Sequence, residues 1–366
     1  MASSFGSLFR LTTFGESHGW GIGGVVDGCP AGVRFDNTVL QRDLHRRRPG
    51  GLYASPRSES DEPEVLSGVH DGRTTGAPIA IVIRNNDQRP SDYDHVRDLL
   101  RPGHADYTYE AKYGHRDHRG GGRSSARETA ARVIGGAIAR MALSESNAIE
   151  IRCAVTSIGP VHSTRPVESM DADAIYASPV RCDDPASARL MASHIEYLRS
   201  RGDSSGGIVE ASVGGVPAGW GEPIYDKLSS RLAGAMLSIN GATGVEIGDG
   251  FAAAARRGSE QNDQFEITEG AIRLATNHSG GILGGISNGM PLRLRVAFKP
   301  PSSIAIEQSY GNRQGGVVTH ALSGRHDPTI VVRAVPVVEA MILLVLADMW
   351  LLSRASATFA KSVVGR

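Results

Sequence analysis

Residues 101–128, RPGHADYTYEAKYGHRDHRGGGRSSARE, set His104, His115 and His118 among Arg101, Arg116, Arg119, Arg123 and Arg127. A metal, a nucleic acid or a phosphate-bearing small molecule could each use such a set. A metal would draw on His115 and His118, three apart, with His104 and Asp106 nearby. Arginines packed around those ligands raise the cost of adding a cation, and the chain has no HExxH pair, so no metal is expected. The phosphate reading fits better. Ser125 and Glu128 have capping-box spacing, which starts a helix at Ser125, and a helix N-terminus offers free N–H groups to an anion. The three glycines before it keep side chains out of the approach. Arg127 stands in the first turn, where a cation opposes the helix dipole; that conflict calls for an anion, or for pairing with Glu128 or solvent.

Three other stretches share this vocabulary. FGESHG (14–19) places Glu16, Ser17 and His18 between glycines, HRRRPG (45–50) is an arginine knot, and GRHDP (324–328) holds Arg325, His326 and Asp327 in a turn closed by proline. A lone histidine is more often structural than catalytic, and HRRRPG alone reads as a solvated basic patch or a nucleic-acid contact, but four stretches with one vocabulary are harder to dismiss. GWGIGG (19–24) does not complete a dinucleotide unit, and no GxxxxGK[ST] is present.

Strands and helices must position these turns. Residues 77–83, 149–158, 206–215 and 291–298 read as strands; in the last, Leu292, Leu294, Val296 and Phe298 alternate with Arg293, Arg295 and Ala297, which predicts a sheet with one polar face. Amphipathic spacing predicts helices over 125–143, 184–200 and 226–239. Residues 337–356 are apolar nearly all round and read as a helix in the middle of the fold, with Asp348 interrupting the run. Small residues such as Gly135, Gly136 and Ala137 allow helices to approach closely. FGESHGWGIGG (14–24) echoes TNHSGGILGG (276–285), and RPGHAD (101–106) echoes SGRHDP (323–328), as a duplicated architecture would.

The 366 residues carry 39 basic and 39 acidic groups, for zero formal net charge, and no aromatic interleaving accompanies the arginines. Both facts count against a nucleic-acid module, the rival from another class. Only four of the basic residues are lysine, and arginine's fork suits phosphate and carboxylate. Three cysteines without metal-like spacing suggest a reducing compartment. No secretory signal or bilayer-length apolar run is read, so a cytoplasmic location without membrane attachment is expected.

The chain resembles the chorismate synthases. The resemblance is carried by FGESHG, DLHRRRPG, RPGHADYTY, the RGGGRSSARETA block, GVPAG, SIN, GVEIGDGF, NHSGGILGGISNG, GRHDP and RAVPVVEAM, spread from residue 5 to about residue 350. It implies an α+β fold: a β-α-β sandwich with a central helical core between two antiparallel four-stranded sheets and an internal pseudo-twofold repeat. The whole of 1–366 is then one domain with a divergent polar loop at 49–65. It further implies a homotetramer and a lyase that converts 5-enolpyruvylshikimate 3-phosphate to chorismate by 1,4-anti-elimination of phosphate. Reduced FMN is required without net redox change.

By the same resemblance, His18 donates a proton to the leaving phosphate, His104 supports the reduced flavin, and Asp327 works with the flavin in removing the ring proton. Ser17 and Ser125 support that centre. The flavin pocket maps to Arg123, Ser124, Ser125, Asn240, Gly241, Gly284, Lys299, Pro300, Pro301, Ser302, Ser303 and Arg325. Arg46, Arg47, Arg48 and Arg127 clamp the substrate.

One region departs from the family pattern. Tyr53 stands at an arginine position, only Arg57 remains of the arginine group that follows, and Glu59, Asp61, Glu62 and Glu64 crowd the stretch. This puts a pyridine-nucleotide (NADP) contact in doubt and motivates an alternative, a family member with reduced turnover that still binds flavin and substrate. No insert or NADPH fingerprint is seen, so an external flavin reductant is expected.

Overall fold

The computed structural model describes residues 3–48, 51–53, 59–268, 271–322 and 327–356. Two antiparallel sheets are laid down by the same chain path. In the first, strand Arg10–Gly15 pairs with Gly21–Asp27, helix Asn37–Arg47 follows, and Pro63–Val65 forms the outer edge. Ile79–Arg84 then returns between that edge and Gly21–Asp27, and the chain runs on to helix Thr129–Ser144. In the second, Glu150–Ile158 pairs with Gly207–Gly214, helix Leu228–Leu237 follows, Ala242–Ile247 forms the edge, and Leu292–Phe298 returns inside it before helix Val331–Ala355. The repeated order is the internal duplication. Each sheet also gains a two-residue edge strand, Ser4–Phe5 or Val161–His162, so the four strands expected become five.

The echo between RPGHAD and SGRHDP falls at equivalent places, since each follows the fourth strand of its half and precedes that half's inner helix. The other echo does not. FGESHG joins the first two strands of its half, whereas NHSGG lies between the last two of the other.

Helices Thr129–Ser144 and Val331–Ala355 form the middle layer. An added Cβ at Gly136 would lie 2.4 Å from the Ala340 side chain and 2.5 Å from its Cα, so the two backbones touch through a glycine. The second helix starts earlier than the sequence pattern suggested and carries Pro336 within its first turns. It is apolar and long enough to span a bilayer by length and composition, but 89% of that window is buried inside the protein. The acid that interrupts its apolar run has a partner set: Asp348, one of two buried acids in the helix with Glu339, accepts hydrogen bonds from the backbone N–H of Ser7 (2.9 Å), Leu8 (2.7 Å) and Phe9 (3.0 Å). A buried carboxylate so satisfied is tolerated where a lone one is not.

In Leu292–Phe298 the alternation holds, with the four apolar side chains buried and both arginines exposed. A small sheet of Val317–His320, Gln308–Asn312 and Leu99–Leu100 ties the segment after the first sheet to the segment after the second. That tie draws the turns of both halves to one place.

Candidate active site

The motif turns converge on a cavity of about 750 Å³. FGESHG contributes from the turn after Arg10–Gly15, and RPGHAD from the loop before helix Asp106–Tyr113. GGGRSS lies ahead of Thr129–Ser144, Asn240 and Gly241 follow Leu228–Leu237, and KPPSS follows Leu292–Phe298. Asp327 stands ahead of Val331–Ala355. Ser125 caps as expected, accepting from Arg127 N at 3.3 Å, although the first turn, Ala126–Glu128, is a 3₁₀ turn and the α-helix begins at Thr129.

The two histidines are held in opposite tautomers. The backbone N–H of Arg89 donates to His18 Nδ1 (3.2 Å), which leaves the proton of the neutral ring on Nε2. His104 Nδ1 lies 3.0 Å from Asp106 Oδ1, an acceptor only, and 3.2 Å from Arg101 Nη2, a donor only; the shorter contact assigns the proton to Nδ1 and leaves Nε2 an acceptor. The glycine run explains how both rings are reached. An added Cβ at Gly120 (φ +63°) would lie 2.6 Å from His18 Nε2, and one at Gly121 (φ +86°) 3.2 Å from His104 Nε2. Two left-handed glycines thus lay bare backbone across both catalytic candidates, where any side chain would collide.

Asp106 is buried among Arg101, His104 and Arg116. Burial works against its charge, but the hydrogen bonds from Arg101 and His104 prevail and hold it far below the carboxylate range. His104 is shifted down as well, which for an imidazole favours the neutral form. Burial pushes it below its ordinary value, against the pull of Asp106, so it is neutral at neutral pH in the free protein.

Arg47 and Arg127 line the cavity, and both are buried. Their anion is supplied by the protein. Asp61 accepts from Arg47 Nη2 at 2.6 Å and from Arg127 Nη1, Glu59 lies 3.9 Å from Arg127 Nη2, and Asn85 Oδ1 accepts from Arg127 Nε at 3.0 Å. The conflict read at Arg127 was real, but its first resolution is Asp61, 66 residues away in sequence, and not a ligand. Arg47 Nε and Arg127 Nη2 still lack hydrogen-bond partners. The acidic stretch is therefore not a loose surface loop, since Glu59 and Asp61 are both buried against the arginines of the cavity. Tyr53 is buried too, against the core, with its hydroxyl 3.3 Å from Glu196. An arginine grafted there would bury a charge. Arg57 lies outside the described residues.

Ser17 and Ser125 meet directly, Oγ to Oγ at 3.1 Å. Arg123 donates to Thr13 Oγ1 (2.6 Å) and Gly15 O (3.2 Å), so it anchors the FGESHG turn while lining the cavity. Asn240 donates to Ser124 O at 3.0 Å, and its Oδ1 is buried without a donor. Lys299 reaches Gly103 O, which joins the KPPSS run to the RPGHAD loop. Pro300, Pro301, Ser302, Ser303 and Gly241 line the same wall.

Three of the expected residues fall outside the walls of this cavity. Arg46 and Arg48 do not line this cavity. Consecutive helical residues point about 100° apart, so of the two arginines ending Asn37–Arg47 only Arg47 continues the buried stripe of Leu40 and Leu44, and Arg48 leaves the helix as its C-cap. Arg46 instead stacks on Tyr176 at 3.7 Å. Gly284 sits in the hairpin between Ile282–Leu283 and Ile286–Ser287, away from the cavity walls. Arg325 lies outside the described residues. The sequence reading missed Tyr93, Tyr109, Arg132 and Arg333, which also line the cavity. Arg333 pairs with Asp327. It sits six residues on, within the RAVPVVEAM motif, and that proximity was the available signal.

A duplicated helix-centred sandwich, closing on a cavity lined by arginines, a lysine, two oppositely polarised histidines and an aspartate, defines an enzyme of small, multiply anionic substrates. The family model for chorismate synthase matches residues 9–351. The chain belongs to the chorismate synthase family, lyases that form chorismate from 5-enolpyruvylshikimate 3-phosphate. It is 54% identical over 358 residues to the chorismate synthase of Porphyromonas gingivalis, covering 96% of each chain. It is 50% identical over 355 residues to that of Christiangramia forsetii, covering 97% of this chain and 99% of the relative. A crystal structure of chorismate synthase superposes with a TM-score of 0.74 at 33% identity, covering 95% of this chain and 93% of the other.

Proposed function

We propose that this cavity performs the family's reaction, release of phosphate and a ring proton from 5-enolpyruvylshikimate 3-phosphate, with the roles divided as follows. Arg47 and Arg127, which line the cavity and each keep one buried donor without a partner, hold the anionic groups of the substrate. His18, with its proton on Nε2, serves the departing phosphate. Asp327, oriented by Arg333, receives the ring proton. The single observation that carries this reading is the convergence of His18, His104, Asp327, Arg47, Arg127 and Lys299 on one cavity.

The walls also fit reduced FMN. Arginines and Lys299 suit its phosphate and electron-rich ring, and the buried Oδ1 of Asn240 has no donor, as a ring imide N–H would provide. When bound, reduced flavin supplies electron density transiently and is recovered unchanged. His104, Asn240 and the run Lys299 to Ser303 are the residues that would hold it. Glu59 and Asp61 organise the arginines of the cavity, which favours a working enzyme over a family member with reduced turnover. We further take the chain to act as a cytoplasmic homotetramer supplied by an external flavin reductant.

Anaerobic turnover with photoreduced FMN tests the whole reading. Chorismate and phosphate are expected in equal amounts, with no net flavin oxidation; phosphate without chorismate would overturn it. A second measurement tests Asp327. With deuterium at the ring carbon that loses its proton, Asp327→Asn should turn over more slowly with a larger isotope effect, while substrate still binds. An unchanged rate and isotope effect would remove Asp327 from proton transfer.

A further inference from the structure

A second, smaller pocket of about 130 Å³ opens behind the wall of the main cavity. Arg46, Arg48 and Arg181 line it, with Ser178 and Tyr53, and Arg333 is common to both pockets. No carboxylate among the described residues lines it. Asp327, the partner of Arg333, faces the main cavity instead. Asp43 approaches Arg46 only to 3.9 Å and is already shared with Arg42 (2.9 Å) and Arg140 (3.1 Å). The pocket is therefore a concentration of like charge with little internal compensation.

Several further features mark it as prepared for an anion. Arg181 occupies the left-handed region at φ +58°, a backbone that side chains other than glycine rarely adopt. Its Nη1 is spent on the carbonyls of Tyr176 and Ser178, but its Nε is shut off from solvent without a partner. The Ser178 hydroxyl is in the same condition. Buried polar atoms left unsatisfied are costly, and here two of them flank three guanidinium groups. The field reaches outward as well. Burial, then Arg48 and Arg181, hold His45 below its ordinary value.

We infer that this pocket is a second anion site, taking one free tetrahedral oxyanion of phosphate size, and that it is coupled to the main cavity through Arg333. Its volume admits one tetrahedral group and excludes a nucleotide. Guanidinium forks and a hydroxyl donor are the chemistry that recognises phosphate. An anion seated beside Arg333 competes with Asp327 for that guanidinium, so occupancy of one pocket alters the charge balance of the other.

The test reads binding and needs no turnover. Isothermal titration of the full chain with inorganic phosphate at low ionic strength is expected to show two classes of site, because the main cavity also takes anions. Arg48→Ala and Arg181→Ala should each weaken one class at least tenfold and leave the other. Arg181 also holds two backbone carbonyls, so its variant is checked for melting; Arg48 is exposed, and its variant carries the test alone if the other fails to fold. Tungstate soaked into crystals should appear between Arg48 and Arg181. Adenosine 5′-monophosphate should not reach this class. Identical isotherms in wild type and Arg48→Ala, tungstate confined to the main cavity, or equal binding of the nucleotide would each overturn the inference.

Discussion

Replacing His18 with alanine is expected to lower the turnover number by roughly 10²–10⁴-fold, the range for a lost general acid, while substrate and flavin still bind. The binding expectation follows from the walls, since the arginines, Lys299 and Asn240 are untouched by the change. The catalytic expectation follows from the ring's orientation. Arg89 N–H at Nδ1 puts the transferable proton on Nε2, the atom covered by Gly120. Full transfer from a neutral ring would leave imidazolate, so the working donor is the imidazolium, formed when Nδ1 gives up its contact with Arg89 N–H. Activity of the wild type should then fall at high pH as the cation is lost, and the residual activity of the variant should lack that limb. His18→Gln adds a decisive arm. Glutamine can place an N–H near the same point but cannot give up a proton, so it should not rescue. Turnover of His18→Gln within tenfold of wild type would mean that His18 only donates a hydrogen bond. Formation of phosphate and chorismate should be followed together, because a general acid serves both equally.

The sequence makes some of this site legible and hides the rest, for physical reasons. His18, His104, Ser125 and Asp327 stand in turns bounded by glycine or proline, or at a helix cap, and such residues announce a local conformation that a sequence can reveal. The glycine run was readable as an open approach, although not as a lid lying over both imidazoles. Arg46–Arg48 shows the limit of reading composition without periodicity. Leu40, Leu44 and Arg47 share one stripe, so the helix turns Arg47 inward and Arg46 elsewhere, and its end at the C-cap carries Arg48 away. The tautomers were beyond reach, because they depend on Arg89 N, 71 residues from His18, and on the burial of Asp106.

The acidic stretch is the clearest miss. Glu59 and Asp61 sit among serines and prolines, and a polar, turn-rich segment ordinarily stays in solvent. Here the buried guanidinium groups of Arg47 and Arg127 overrule composition, because an unpaired buried cation costs more than ordering a short loop. Asp348 follows the same logic in the core helix, where three backbone N–H groups make an acid acceptable inside an apolar run.

Asp61→Asn is expected to destabilise the free protein by about 3–5 kcal/mol, the cost of breaking a buried pair from one side. The substitution is a fair probe of charge. Asp61 stands in the left-handed region at φ +51°, which asparagine tolerates as well as aspartate, so the backbone is not strained further. What is lost is the carboxylate between Arg47 and Arg127, leaving Glu59, 3.9 Å from Arg127, as the nearest acid. The pH dependence has a defined sign. Burial alone would raise the pKa of Asp61, but Arg47 and Arg127 lower it below its ordinary 3.8. A depressed carboxylate stabilises fully above the ordinary value and loses that contribution as pH falls through the lower folded value. The stability gap between wild type and Asp61→Asn should therefore be widest near neutrality and narrow in acid. Ligand binding supplies the discriminating readout. An anionic substrate beside Arg47 and Arg127 replaces part of the missing charge, so its addition should raise the melting temperature of the variant more than that of the wild type. A variant that melts with the wild type would show that Glu59 and solvent suffice for the two arginines. One that is destabilised but gains no more from substrate than the wild type would place the bound anion away from Arg47 and Arg127.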